Sequence, residues 1–417
     1  MEIKRDLLLK SLMDLRHNGM IKVITGMRRC GKSYLLFNLF VNALKEEGVD
    51  DMHILQVNLE DRRNRALRDP DKLLEYIDSR LKDDQMYYVL LDEVQMVSEF
   101  EDVLNSYLQV KNADLYVTGS NARFLSKDVI TEFRGRGFEV RVHPLSFREI
   151  CGANPNEPIE QLWVEYMTYG GLPQVLTMTM EQEKVRYLKD LFRHTYLKDI
   201  KERYDIKLDG DLEELISTLA SMVGGLTNPR KLADTFRTVK KSSISQDTIK
   251  TYIDYLQDAF IIERALRFDI KGKRYIDTPS KFYFEDLGLR NALLNFRQVE
   301  KTHLMENAIY NELRARGMSV DVGEVIWNTK DEEGKKTRKV LEVDFVCNLG
   351  YKRTYIQSAF SIPDDAKREQ ELQSLRRIDD SFQKMVIVGD RSARYQNEDG
   401  ILFMDIYDFL IGGGGTM

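Results

Sequence analysis

Four short stretches carry residues whose types and spacing suit phosphate chemistry. In "TGMRRCGKSYLL", Thr25 to Leu36, Gly26 and Gly31 are followed at once by Lys32 and Ser33, the pattern G-x-x-x-x-G-K-[ST]. Glycines let the backbone curl until its N–H groups point at phosphate oxygens in front of a helix N-terminus. The expected nucleotide contacts are Gly26, Met27, Arg28, Arg29, Cys30, Gly31, Lys32, Ser33 and Tyr34. Lys32 would reach the β- and γ-phosphates of ATP, and the Ser33 hydroxyl would ligate Mg²⁺. In "YYVLLDEVQ" an apolar run leads into Asp92, expected to hold the Mg²⁺ shell, and Glu93, expected to polarise the attacking water. "TGSN" offers Ser120 and Asn121 as sensors of the γ-phosphate, with Ser120 preferred, and "EFRGRGFEV" offers Arg134 or Arg136 as a finger toward a neighbouring subunit's nucleotide or the chain's own.

These residues need a scaffold that delivers them to one edge. "MIKVITG" is an apolar run ending in Gly26, and after Lys32 the apolar residues Leu35, Leu36, Leu39, Phe40 and Leu44 share one helical side. "MHILQVNLE", "YYVLLDE", "DLYVTGS" and "FEVRVHP" read as further strands, with helices near Pro70 to Lys82, Phe100 to Lys111 and Ala122 to Phe133 between them. Such alternation implies a parallel α/β sheet, and ligands of these sheets bind at the carboxyl ends of the strands. An extra strand, Ile54 to Leu59, comes between the loop strand and the carboxylate strand in the chain.

With "TGMRRCGKS", "LLDEVQ", "TGSNARFLS", "FRGRGFEV" and "HPLSFREI" in this order, the chain resembles the prokaryotic AAA-type ATPases, additional-strand P-loop proteins with a C-terminal domain of unknown function. The likeness extends to "YGGLPQVL", "RYLKDLFRHTYLKDI", "IKTYIDYLQDAFII" and "LMENAIYNELRARG". It implies ATP binding and hydrolysis, a helical segment, a winged helix-turn-helix and a terminal domain similar to the PD-(D/E)XK nuclease fold. The expected boundaries are 1–155, 156–210, 211–295 and 300–411, with a Gly-rich tail at 412–417.

Two later regions carry chemistry of their own. The segment from Ser245 to Tyr283 fits a winged helix whose wing turns at Gly272, with Lys271, Lys273 and Arg274 at its tip as a DNA contact. Its helix "QDTIKTYIDYLQD" instead exposes Asp247, Asp254 and Asp258 beside Lys250, which suits a protein partner or a lid. In the terminal region Glu306, Asp344 and "YIQSAF" occupy the places of a nuclease's acid, acid and E-x-K. The last reads Gln357-x-Ala359, so the spacing persists without the carboxylate and lysine that the reaction needs, and cleavage is not expected. Lys367 or Lys339 is the remaining route to a displaced lysine.

Composition narrows the setting. A chain of 417 residues with 42% hydrophobic and 31% charged residues suits a globular protein of roughly three domains. Net charge is −6, so nucleic acid must be met by local basic patches. Cys30, Cys151 and Cys347 are far apart and show neither disulfide nor zinc spacing. No apolar run approaches the roughly 18 residues of a membrane span, and the expected setting is cytoplasmic. Remaining expected partners are a homo-oligomer and a protein docked on the C-terminal domain.

Overall fold

The computed structural model describes residues 3–119, 133, 135–206, 209–239, 241–242, 244–330 and 336–412. Ser120, Asn121 and Arg134 lie outside the described residues, as does the tail from 413.

Strands β1 (Ile21–Thr25), β2 (Ile54–Asn58), β3 (Tyr87–Asp92), β4 (Ala113–Thr118) and β5 (Gly137–Arg141) form a wholly parallel sheet in the order β2-β3-β4-β1-β5. Every residue of β1 and β3 is buried, as their apolar sequences require of strands covered on both faces. The exception in chemistry is Lys22 of β1, which pairs with the buried Asp114 of β4. Although β2 precedes β3 in the chain, it lies on the outer edge, and β4 is the strand inserted between β1 and β3. Parallel strands need crossovers, so neighbours in sequence need not be neighbours in the sheet. The register sets Ile24 beside Thr118, and Asn58 beside Asp92. The strand ends that carry polar residues therefore meet at one edge.

Helices Ile159–Tyr169, Glu181–Leu191, Lys198–Arg203, Asp209–Ser221, Pro229–Val239 and Gln246–Asp258 follow, broken where "YGGLP", "GGLTNP" and "KKSSISQD" fall. A second, mixed sheet contains β6 (Ile262–Asp269), β7 (Arg274–Phe284), β8 (Ser319–Lys330), β9 (Lys336–Leu349), β10 (Lys352–Ala359), β11 (Gln383–Val388), β12 (Tyr395–Gln396) and β13 (Leu402–Asp405). Its order is β12-β13-β11-β10-β9-β8-β6-β7. The β6–β7 hairpin expected as a wing is joined in parallel to β8, so one sheet crosses the 295–300 boundary.

A single apolar core runs from Leu36 and Phe40 beneath the glycine loop, through Trp163 and Tyr196, to Ile309, Phe345 and Phe409. The far face of each sheet has its own core, around Val89 and Leu104 in the first and Val343 and Leu372 in the second. Among the described residues no helix is long and apolar enough to cross a membrane.

Candidate nucleotide site and its connections

The loop after β1 depends on glycine at both ends. Gly26 has φ of +136°, and a Cβ there would lie 2.0 Å from the Val142 carbonyl oxygen; Gly31, with φ of +101°, starts the helix in the left-handed region. The side chains of Met27 and Cys30 are fully buried, so only their backbones face the loop's interior chemistry. The Cys30 thiol donates to Val142 O at 3.2 Å, and burial pushes its pKa up, which makes it an inert floor rather than a reactive group. Lys32 donates to Gly26 O at 2.9 Å and Met27 O at 3.0 Å, so its ammonium is held inside the curl.

At the shared edge Asp92 Oδ1 accepts from Ser33 Oγ at 2.9 Å and from Thr118 Oγ1 at 2.6 Å. The Glu93 backbone N–H donates to the same Thr118 hydroxyl at 2.9 Å. Glu93 itself stands in the left-handed region, with φ of 55°, and accepts from Gln95 Nε2. Burial raises the Asp92 pKa against these two hydrogen bonds, and the nearby Glu93 charge adds to the rise. Ser33, Asp92 and Glu93 are therefore brought together. Thr118 joins them unannounced, although a polar residue ending the buried run "LYVT" was a readable signal.

Arg136 is placed elsewhere. Its carbonyl accepts from Ile21 N at 2.8 Å, which sets it at the entry of β1, the opposite edge from Asp92. Five residues of strand separate those edges, about 16 Å.

Residues far off in sequence grip the loop. Arg5, nearly buried, donates to Cys30 O at 3.1 Å, His143 O at 2.9 Å and Glu149 Oε1 at 3.0 Å. Tyr196 donates to Arg28 O at 2.5 Å, and the Arg28 guanidinium pairs with Asp199 at 2.7 Å. The end of β5 meets the end of β7 in the same way: His143 Nδ1 and Arg141 Nη2 lie 2.6 and 3.1 Å from Glu285. Burial opposes ionisation of Glu285, yet Arg141 and His143 hold its pKa down to about 2.

The adjoining Asp286 explains "YGGLP". Its carboxylate accepts from Gly171 N at 2.7 Å and Leu289 N at 2.9 Å, and a Cβ on Gly170 would lie 2.4 Å from it. Burial pushes Asp286 from 3.8 up to about 6 despite those donors. A carboxyl whose folded pKa is raised binds its proton more tightly when folded, so its stabilisation is complete below about pH 4 and is lost as pH rises through about 6. Replacing Asp286 with Asn should flatten this part of the curve of urea midpoint against pH, a difference of at most about 3 kcal/mol. Parallel curves for the two proteins would refute the assignment.

The terminal acids also meet, around an unexpected cation. Lys281 of β7 lies 2.9 Å from Glu306 Oε1, 2.7 Å from Glu342 Oε1 and 3.8 Å from Asp344 Oδ1. Tyr283 donates to Glu306 at 2.6 Å, and Asp344 accepts from Ser358 N at 2.8 Å. Burial and the Glu306 charge push the Asp344 pKa well up, while Lys281 pulls it back. Neither lysine proposed from sequence is there: Lys367 pairs with Glu371 on its own helix, and Lys339 is exposed on β9. Among the described residues no three His, Cys, Asp or Glu side chains are grouped to hold a metal ion.

A five-stranded parallel sheet, a glycine loop opening a helix, and Ser33 bound to Asp92 across the strand ends define an AAA-type P-loop domain. Residues 18–151 match the family described as AAA domain, and residues 160–300 match a domain of unknown function, DUF8612. The chain belongs to one family with an uncharacterized protein of Haemophilus influenzae, 32% identical over 417 residues, 98% of each chain. It is similar to the uncharacterized protein MJ1544 of Methanocaldococcus jannaschii, 28% identical over 85% of this chain and 77% of that one. In fold it is similar to the Walker-type ATPase PABY2304 of Pyrococcus abyssi, at 15% identity, with a TM-score of 0.51 over 70% of this chain and 96% of that one.

Proposed function

We propose that this protein binds and hydrolyses ATP with Mg²⁺ and uses its nucleotide state to control the modules that follow the sheet. The observation that carries the reading is the convergence of Lys32, Ser33, Asp92, Thr118 and Glu93 on one sheet edge. The hydroxyl of Ser33 and the carboxylate of Asp92 are hard oxygen donors facing each other, the set that Mg²⁺ takes. Bound there, Mg²⁺ would neutralise charge developing on the phosphates. Lys32 exchanges its loop carbonyls for phosphate oxygens, Asp92 and Thr118 fix the orientation of Ser33 and of the Glu93 backbone, and Glu93 takes the proton of the attacking water. ATP turnover with and without DNA at two salt concentrations tests the reading.

Transmission follows from what grips the loop. Arg28, released or held by Asp199, connects it to the helix Lys198–Arg203, and Arg5 with the His143–Glu285 pair connects it to the second sheet. The second sheet we read as a nuclease-like fold without nuclease activity, because Lys281 stands among its acids and Gln357 faces Ser374 at 3.5 Å. A DNA-associated role is favoured by the basic β6–β7 turn. The competing reading, a slow switch that binds a protein partner, is favoured by the helix Gln246–Asp258, whose Tyr255 stacks on Tyr204 at 3.5 Å while Asp247 and Asp254 stay exposed.

Arg136, exposed at the edge remote from its own loop, fits donation to a neighbouring copy. Turnover per subunit should then rise with protein concentration, and mixing Arg136→Ala with Lys32→Ala chains should restore part of the activity. Turnover independent of concentration, with no restoration on mixing, would leave Arg136 without a catalytic role.

A further inference from the structure

The β6–β7 turn does not stand alone as a wing. Because β6 runs parallel to β8, with Asp269 beside Glu324, the turn Ile270–Lys273 lies against the base of the β8–β9 hairpin, which continues past it. Two buried carboxylates, Asp269 and Glu324, anchor the place. Arg274 lies 3.5 Å from Asp269, and Arg267 and Arg338 both reach Glu324. Lys271 and Lys273 on the turn and Lys339 on β9 are exposed and make no ion pair among the described residues. Five of these cations thus gather over two carboxylates, while Lys339 and Tyr275, next to Arg338 and Arg274 along their strands, face the other side of the sheet. Asp277, farther along β7, is tied to Arg264.

We propose that this end of the second sheet grips the phosphate backbone of double-stranded DNA, and that the helix Gln246–Asp258 does not. The proposal deepens, and rests on, the DNA-associated branch of the function proposed above. Phosphate neutralisation supplies most of non-specific DNA affinity, so the surface with excess cations is the one a duplex selects. The helix offers the reverse: Lys250 is exposed among Asp247 and Asp254, and Asp258 is engaged by Tyr204. Size agrees with a duplex. The four adjacent strands β7-β6-β8-β9 span roughly 14 Å at about 4.8 Å per strand, enough to reach phosphates on both sides of a major groove about 12 Å wide. Paired arginines rise from the sheet and unpaired lysines from the turn, so backbone contacts are available without base readout.

The test is fluorescence anisotropy of the full chain with a labelled duplex of about 30 base pairs, at about 50 and about 200 mM salt, with basal ATP turnover measured on the same preparations. Four neutralised phosphates give an affinity loss of about two orders of magnitude between those salt concentrations. Lys271→Glu with Lys273→Glu should weaken binding at low salt by about tenfold or more, since each phosphate left without its lysine keeps its counterion. Basal ATP turnover and circular dichroism should stay as in the parent, and Lys250→Glu should leave DNA affinity unchanged. Absence of duplex binding at low salt, binding indifferent to the paired lysine reversal, or weaker binding by Lys250→Glu would each overturn the proposal. So would tighter binding of a single strand of equal length. A preparation that binds duplex through the lysines and turns over no ATP would refute the ATPase reading and leave this one standing.

Discussion

Glu93→Gln will lower ATP turnover by two or more orders of magnitude and leave ATP binding intact, whereas Lys32→Ala will abolish binding. The difference lies in what each group does. Lys32 is the buried cation of the loop, held by Gly26 and Met27 carbonyls until phosphates replace them. Removing it leaves the phosphates without their nearest positive charge. Glu93 stands at the strand ends, where its backbone is fixed by Thr118 and its side chain is held by Gln95. An amide keeps that shape and cannot accept a proton, so the loss falls on the chemical step. Removal of a group that acts only in the transition state typically costs about 10²–10³ or more in rate. Isothermal titration with ATP beside a phosphate-release assay separates the two variants. Parent-level turnover in Glu93→Gln would reassign the water-positioning role.

The second large effect is expected at Lys281. Lys281→Met should destabilise the protein by about 3–5 kcal/mol, read as a lower urea midpoint for the second sheet. Methionine matches the volume but leaves the buried Glu306 and Asp344 facing one another beside the partly exposed Glu342. Stranding buried charge is what makes breaking such a cluster costly, more than the attraction itself. Adding Glu306→Gln and Glu342→Gln to Lys281→Met should recover much of the loss, because residues in one network are not additive. A midpoint unchanged in Lys281→Met would show the cluster to be energetically idle. The parent chain, whose ammonium already occupies the space between the acids, should cut neither DNA nor RNA with Mg²⁺ or Mn²⁺ present; metal-dependent cleavage that disappears in Asp344→Ala would reverse that reading.

The sequence by itself determined whatever a few adjacent residues can encode. Gly26 and Gly31 are needed because the backbone between them is left-handed or pressed on Val142, a requirement of the loop's own path. Asp92 ends a run so apolar that it had to be a buried strand, which put its carboxylate at a strand end with no further information. The five strands of the first sheet were legible for the same reason, since period and turn residues are local signals.

Tertiary structure decided which distant residues meet. Arg5 holds the loop together with Glu149, 144 positions away, and His143 meets Glu285 across 142. No period links such pairs. Sheet order was equally hidden: β4 rather than β2 separates β1 from β3, and a parallel pairing of β6 with β8 turned the expected wing into part of a larger sheet. Lys281 shows the reason most plainly. In "SKFYF" it is a lone charge within an apolar strand, and only folding brings Glu306 from a helix and Glu342 and Asp344 from β9 close enough to justify burying it. A buried charge is stabilised by partners that need have no neighbouring place in the chain, so its role exists only in three dimensions.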